Sequence, residues 1–113
     1  MDTYSVALAQ VAEAFRLTVR YASTDYATVR VTVEEVMRPG LAFSGFFTHF
    51  EPLRIQIVGN AESTYLNTLS HERRLEIFDR LFSYKIPALL FARNIEPLPE
   101  CLEMARRHDV TIL

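Results

Sequence analysis

Two glycines in the middle of the chain have the spacing of a phosphate-binding loop. Gly40 and Gly45 are separated by four residues. In a P-loop, lysine and then serine or threonine follow the second glycine and hold phosphate and magnesium. Here the next two residues are Phe46 and Phe47, whose side chains bind neither. The sequence therefore predicts that this stretch is not a nucleotide-binding loop.

The residue types that form metal sites or act as nucleophiles are scattered. The three histidines lie far apart, and no two of them have the i, i+4 spacing that places two ligands on one helix face. Cys101 falls near the inward side of a predicted helix, which favours a small core residue over a nucleophile. Neither a metal site nor a cysteine nucleophile is predicted.

Two short acidic motifs have both a chemical and a structural interpretation. Glu62, Ser63 and Thr64 could contact a phosphate at a helix N-terminus, but such residues more often cap or solvate the first turn. Glu34 and Glu35 could suggest a pair of acid–base carboxylates, but adjacent side chains point in different directions. Capping and a solvated turn are the favoured interpretations, and no catalytic set emerges.

The central stretch also contains the candidate contact residues. Arg38 and Arg54 flank it and could pair with carboxylates of a partner, or could equally be ordinary surface arginines. Phe46, Phe47 and Phe50 are residues of a type usually found in the core. However, three rings in a glycine-containing segment beside a surface turn could form an exposed patch. These five residues are the predicted interface, and no catalytic, cofactor-binding or metal-binding residue is predicted in this chain.

The elements that position these residues alternate between strand and helix in the second half of the chain. Hydrophobic periodicity predicts strands at 3–6, 17–21, 28–33, 55–58, 86–92 and 109–113, helices at 7–15, 61–69, 70–82 and from Pro99 onward, a turn at 38–40, and a short helix or turn at 41–47. Ser70 is the predicted N-cap of one helix. The order strand, helices, strand, helix, strand favours right-handed crossovers. The predicted fold is a layered α/β/α domain with a mainly parallel or mixed sheet.

Composition limits the class of protein. The chain has 113 residues, 50% of them hydrophobic and 23% charged, which is typical of one globular domain, residues 1–113. A net charge of −2 argues against nucleic acid as a partner, and no apolar run approaches the roughly 20 residues of a membrane span. The single cysteine and an N-terminus unlike a signal peptide indicate a cytoplasmic protein. The chain stops at its last predicted strand, as one domain of a longer protein would.

A series of short motifs, each weak alone, forms a specific combination. The motifs are Arg38-Pro39-Gly40-Leu41, Gly45-Phe46-Phe47, Phe50, Arg54-Ile55-Gln56-Ile57-Val58-Gly59, Glu62, Tyr65-Leu66, Leu81-Phe82-Ser83-Tyr84, Ile86-Pro87, Ala92-Arg93 and Glu96-Pro97. In this order, over essentially the whole chain, they resemble the N-terminal domain of bacterial HPr kinase/phosphorylase. Asn94 stands where that family typically has glycine, and asparagine is the next best residue for a left-handed backbone.

The resemblance implies a role within a larger enzyme. Full-length members of this family use ATP or pyrophosphate, with magnesium, to phosphorylate a regulatory serine of HPr, the phosphocarrier of the sugar phosphotransferase system. They also remove that phosphate by phosphorolysis, in the control of carbon catabolite repression. The catalytic residues belong to a C-terminal kinase domain expected after Leu113, and the family enzyme is a homohexamer. The N-terminal domain has a fold similar to that of the N-terminal domain of certain Mur ligases.

Three functions remain open at this point. The first is a non-catalytic domain that acts in assembly or regulation, with the kinase domain, further copies and HPr as the expected partners. The second is a stand-alone sensor of a phosphorylated metabolite or nucleotide-sugar, for which only 62–64 and Arg54 are available. The third is an HPr docking surface built on Phe46, Phe47 and Phe50, which competes with self-association for the same residues.

Overall fold

The secondary structure consists of short strands and five α-helices in the part of the chain that is described. A computed structural model describes residues 4–92 and 94–113. The elements are β1 (Val6–Ala7), α1 (Leu8–Ala14), a 3-10 turn (Tyr26–Thr28), β2 (Arg30–Val31), α2 (Gly40–Phe43), β3 (Gln56–Val58), α3 (Asn60–Asn67), α4 (His71–Ser83), β4 (Leu89–Phe91) and α5 (Pro99–His108). Within those residues, no helix has the length and hydropathy that crossing a membrane requires.

The central sheet is mixed and mainly parallel, as predicted. Its centre is the parallel pair of β3 and β4. Single bridges extend it on both sides, with Met37 parallel to β3, Ile112 parallel to β4, and Tyr21 antiparallel to Ile112. The order across the sheet is therefore Met37, β3, β4, Ile112, Tyr21. β1 and β2 form a separate antiparallel ribbon.

Alternation along the central strands places side chains into two cores on opposite faces of the sheet. Val58 and Leu89 belong to the larger core, together with the buried side chains of α3, α4 and α5. Ile57 and Leu90 pack against the smaller core, which contains Leu8 of α1. A strand points successive side chains to opposite faces, so helices cover both sides. The layered α/β/α architecture is confirmed.

The helices begin where local signals predict them. The Ser70 hydroxyl accepts a hydrogen bond from the backbone N–H of Arg73 and caps α4, and Glu72 occupies the first turn. Pro99 stands at the start of α5, where its missing N–H costs nothing. α5 ends at Asp109, whose left-handed φ of 59° turns the chain back towards the sheet.

Four strand predictions were too long. The predicted strand 86–92 is reduced to β4, Leu89–Phe91. Of 17–21, only Tyr21 pairs with a neighbour; of 109–113, only Ile112 forms bridges, because Asp109 is the helix cap. The predicted strand 28–33 is reduced to β2, since Thr28 lies in the 3-10 turn and donates its N–H to Asp25. The opening strand, predicted at 3–6, is found at Val6–Ala7, and its predicted first residue lies outside the described part of the chain.

Candidate functional site

The loop with P-loop spacing is a single helical turn and its C-terminal cap. Gly40 begins α2, and Gly45 has a left-handed φ of 97°. The N–H of Gly45 donates to the carbonyl of Ala42 at 2.9 Å, and the N–H of Phe46 donates to the carbonyl of Leu41 at 2.9 Å. In a P-loop the backbone amides point at phosphate. Here the chain's own carbonyls engage them, which supports the interpretation that this is not a nucleotide loop.

Next to this turn, aromatic rings pack into one cluster. Phe47 stacks on Tyr84 with ring centroids 5.2 Å apart and an interplanar angle of 12°. Phe50 contacts both rings edge-on, at 5.3 Å from Phe47 and 5.0 Å from Tyr84. The Arg80 guanidinium lies 4.2 Å from the centre of the Phe47 ring. Each such pair adds about 0.5–1.5 kcal/mol of stability beyond the area it buries. Because several pairs share the same rings, the cluster holds each ring in one position.

Part of this cluster is exposed. Phe47 and Phe50 are partly buried and pack against the larger core, whereas Phe46 is 49% and Tyr84 39% exposed. Leu41 is 66% exposed and is joined to Phe46 through the backbone hydrogen bond described above. We call Leu41, Phe46, Phe47, Phe50 and Tyr84 the aromatic surface. It combines a ring that reaches solvent with rings anchored in the core.

The predicted interface residue Arg38 pairs with a carboxylate of its own chain. Its Nη1 lies 3.6 Å from Oε1 of Glu62, and the Arg38 side chain is 65% exposed. The same Glu62 oxygen accepts a hydrogen bond from the buried N–H of Gly59 at 2.6 Å. Glu62 therefore caps the N-terminus of α3, as favoured from the sequence, and occupies the position at which a phosphate would bind.

Arg54, the other predicted interface arginine, is held within a turn before β3. It forms an ion pair with Glu51, and its carbonyl accepts a hydrogen bond from the Gln56 side chain at 3.0 Å. The structure thus brings Phe47 and Phe50 together, leaves Phe46 beside His49, and gives both arginines intramolecular partners. The residues offered for a metabolite sensor, Arg54 and Glu62, are engaged in capping and pairing.

Two residues of the aromatic surface and the cation beside it were missed from the sequence. Arg80 and Tyr84 lie four residues apart at the end of α4, so their side chains share one face of the helix. Hydrophobic periodicity predicted the buried face of α4. It did not predict that Arg80 and Tyr84, at the edge of that face, contact Phe47. Leu41 was assigned only to a short helix or turn. Its hydrogen bond with Phe46 depends on the left-handed backbone of Gly45, which periodicity does not predict.

A buried carboxylate joins the three helices of the larger core. Oε2 of Glu100 lies 2.8 Å from Nδ1 of His71 and 3.6 Å from Nη1 of Arg74. Arg74 also donates to the carbonyl of Leu66 at 2.8 Å, at the end of α3. Burial raises the pKa of Glu100, but the hydrogen bond from His71 and the charge of Arg74 outweigh burial and hold that pKa below its usual range. This network stabilises the fold.

Cys101, His108 and His49 have the environments of residues that support the fold. Cys101 is fully buried, and burial raises the pKa of its thiol, which is typical of an inert core cysteine. His108 lies 2.7 Å from Asp79, and His49 lies beside the Phe46 ring at 6.5 Å. The three histidines therefore occupy three separate places.

The comparisons with known proteins agree with this structure. The family model of the HPr serine kinase N terminus matches residues 6–113. An HPr kinase/phosphorylase of Thermoanaerobacter sp. (strain X514) is 39% identical over 85 residues, covering 75% of this chain and 28% of the relative. Those of Streptococcus thermophilus (strain CNRZ 1066) and Lachnoclostridium phytofermentans are 31% and 33% identical over 109 residues, covering 96% of the chain and 35% of each relative. The chain spans about a third of the length of these relatives, and it belongs to the HPr kinase family as an N-terminal domain.

Proposed function

We propose that the chain is the non-catalytic N-terminal domain of an HPr kinase/phosphorylase and acts in the assembly or regulation of that enzyme. The parent enzyme phosphorylates and dephosphorylates HPr in the cytoplasm with ATP or pyrophosphate and magnesium. The chain spans about a third of the length of its relatives, which leaves room for a separate kinase domain in the parent enzyme. The observation that carries the proposal is the aromatic surface. Its Phe46 and Phe47 follow Gly45 directly, at the positions where a phosphate-binding loop would have lysine and serine or threonine.

The chemistry of the aromatic surface suits a protein contact. Interface cores are enriched in aromatic residues and arginine, and the strongest contributors are well-packed rings. Phe46 presents half of its surface to solvent, and the neighbouring Phe47 and Phe50 pack on each other and against the larger core. A partner would therefore meet a preorganised apolar surface and lose little side-chain entropy on binding.

A second copy of the domain is the partner that we propose for this surface. The family resemblance implies a homohexamer, and most homo-oligomers use symmetric contacts in which the same surface occurs on both sides. The kinase domain of the same chain and HPr are the further partners of the full-length protein. HPr docking on the aromatic surface is the outcome that would replace self-association.

Substitution of Phe46 tests the proposal. Its ring is exposed and outside the stacked trio, so Phe46→Asp should leave the fold intact while placing a charge in the contact. We expect light scattering to show a dimer or larger species for the wild-type chain. Phe46→Asp should weaken that association at least about tenfold and shift the chain towards monomer. Phe46→Leu should retain most of the association.

Leu53→Asp is the matched control, because Leu53 is 62% exposed and lies outside the aromatic surface. It should have the mass of the wild type. A wild-type chain that stays monomeric at high concentration contradicts self-association. If Phe46→Asp then weakens binding of HPr instead, the surface is an HPr docking site.

A further inference from the structure

A second candidate contact region lies at the carboxyl end of β4, in a cleft of about 410 Å³ lined by both polar and apolar residues. One wall is the connection from α1 to Tyr21, residues 15–18 with Arg20. The other wall is the end of β4 and the connection to α5, residues 90–92 and 94–97. Leu113 lies between the two walls. The cleft is built from elements that do not contribute to the aromatic surface.

The apolar lining of this cleft is incompletely covered. Phe15 is 73% exposed, more than any other large hydrophobic side chain in the described residues. Leu17, Leu90 and Ile95 are half-buried around the same cleft. The exposed Phe15 ring and these half-buried side chains form the apolar part of the cleft, which a further polypeptide could cover.

The rim of the cleft is polar and holds the two walls together. Nη2 of Arg20 lies 2.5 Å from Oε2 of Glu96, and this pair joins the walls. The backbone N–H of Arg20 donates to the carbonyl of Ile112 at 2.8 Å, so its wall is fixed to the sheet. A mixture of apolar and charged side chains of this kind is compatible with a protein contact.

Leu113 sets the direction in which a longer polypeptide would leave the domain. Its N–H donates to the carbonyl of Leu89, and its carbonyl accepts from the N–H of Phe91, both at 3.0 Å. The Leu113 side chain is 5% exposed. A polypeptide continuing from this position would leave at the carboxyl edge of the sheet, where the cleft opens. The relatives that the chain matches are about three times its length.

We propose that this cleft is the seat of the segment that follows residue 113 in the full-length protein, and that the contact couples this domain to the next. The inference rests on the proposed function, since it requires a following domain. The apolar side chains of that segment cover Phe15 and Leu17, and its polar groups meet Arg16 and the Arg20–Glu96 pair. The domain is thereby oriented relative to its neighbour instead of being tethered loosely.

The test compares the chain 1–113 with the full-length protein from the same gene. Hydrogen exchange of peptides covering 15–20 and 94–97 should be at least about tenfold slower in the full-length protein. Phe15→Asp should abolish that difference. In the chain 1–113 the same variant should shift Tm by no more than about 3 °C, because the ring is already exposed. Leu53→Asp, exposed at the other end of the strands, is the control and should preserve the protection.

Several results would overturn the inference. One is equal hydrogen exchange of these peptides in the two proteins, and another is a reading frame that stops at Leu113. A third is hydrogen exchange in the isolated chain that slows as its concentration rises, which would assign the cleft to a second copy. Full-length protein that phosphorylates HPr but shows no protection contradicts only this inference. Full-length protein that cannot phosphorylate HPr contradicts the proposed function, whatever the cleft does.

Discussion

At the scale of the residue, Glu62 holds the connection from β3 into α3 through contacts with Gly59 and Arg38. Its buried carboxylate accepts from the Gly59 N–H and faces the Arg38 guanidinium. Gly59 fits because a Cβ there would lie 3.0 Å from Nη1 of Arg38 and 3.2 Å from Oε1 of Glu62. One side chain thus satisfies a buried donor and also provides the partner of Arg38.

Removing the Glu62 carboxylate should destabilise the domain. Glu62→Ala leaves the Gly59 N–H without its acceptor in a buried position, so we expect the free energy of unfolding to fall by about 1–2 kcal/mol. Glu62→Gln keeps an acceptor and should cost less. Urea denaturation measures both. Glu72→Ala, in the exposed first turn of α4, should stay within about 0.5 kcal/mol of wild type; an equal loss there would show that Glu62 has no special role.

At the scale of the element, α3, α4 and α5 are joined by the Glu100 network. α4 and α5 pack side by side, and Glu100 reaches from the first turn of α5 to His71 and Arg74 of α4. Arg74 continues the connection to the end of α3 through the Leu66 carbonyl. The charged carboxylate is the form that this network stabilises.

The Glu100 network should make stability depend on pH in the acidic range. The pKa of Glu100 is lower in the folded protein than its ordinary 4.5, so its contribution is complete above that value and is lost as pH falls through the folded pKa. Glu100→Gln should cost about 2 kcal/mol at pH 7 and flatten the fall in unfolding free energy below pH 4.5. Urea denaturation from pH 3 to 7 measures both effects.

A suitable control lies on the same helix. Glu103 is exposed on α5, so Glu103→Gln should change neither the stability at pH 7 nor the part of the slope that Glu100→Gln removes. If the unfolding free energy of Glu100→Gln depends on pH as that of the wild type does, the pKa of Glu100 is not lowered in the folded protein.

The helices were predictable because their signals are local, and the strands were less so because pairing is not. Ser70 and Pro99 mark helix starts from within a few residues, and both were identified. The alternating residues at 17–21 look like a strand, but only Tyr21 finds a partner, at the far end of the chain. For the same reason the phenylalanines of the aromatic surface could be nominated from the sequence, while Tyr84 could not.

At the scale of the whole molecule, two contact regions are built from different elements. The aromatic surface belongs to α2, the 46–50 segment and the end of α4, whereas the cleft belongs to the connection after α1 and the end of β4. Phe47 and Phe50 of the aromatic surface pack against the larger core, whereas Leu17 and Leu90 of the cleft pack against the smaller core. The two regions could therefore act independently, one in the proposed contact with a second copy and the other in the proposed contact with the following segment.

If the chemistry belongs to another domain, the isolated chain should not transfer phosphate. Its glycine loop uses its backbone amides in the α2 cap, and the position of the P-loop lysine is Phe46. We expect the chain 1–113, incubated with HPr, magnesium and either ATP or pyrophosphate, to form no phosphoserine, while full-length protein does so under the same conditions. Mass spectrometry of HPr measures the product. Turnover by a clean preparation of the chain would place catalytic residues within 1–113 and require a different function for the aromatic surface.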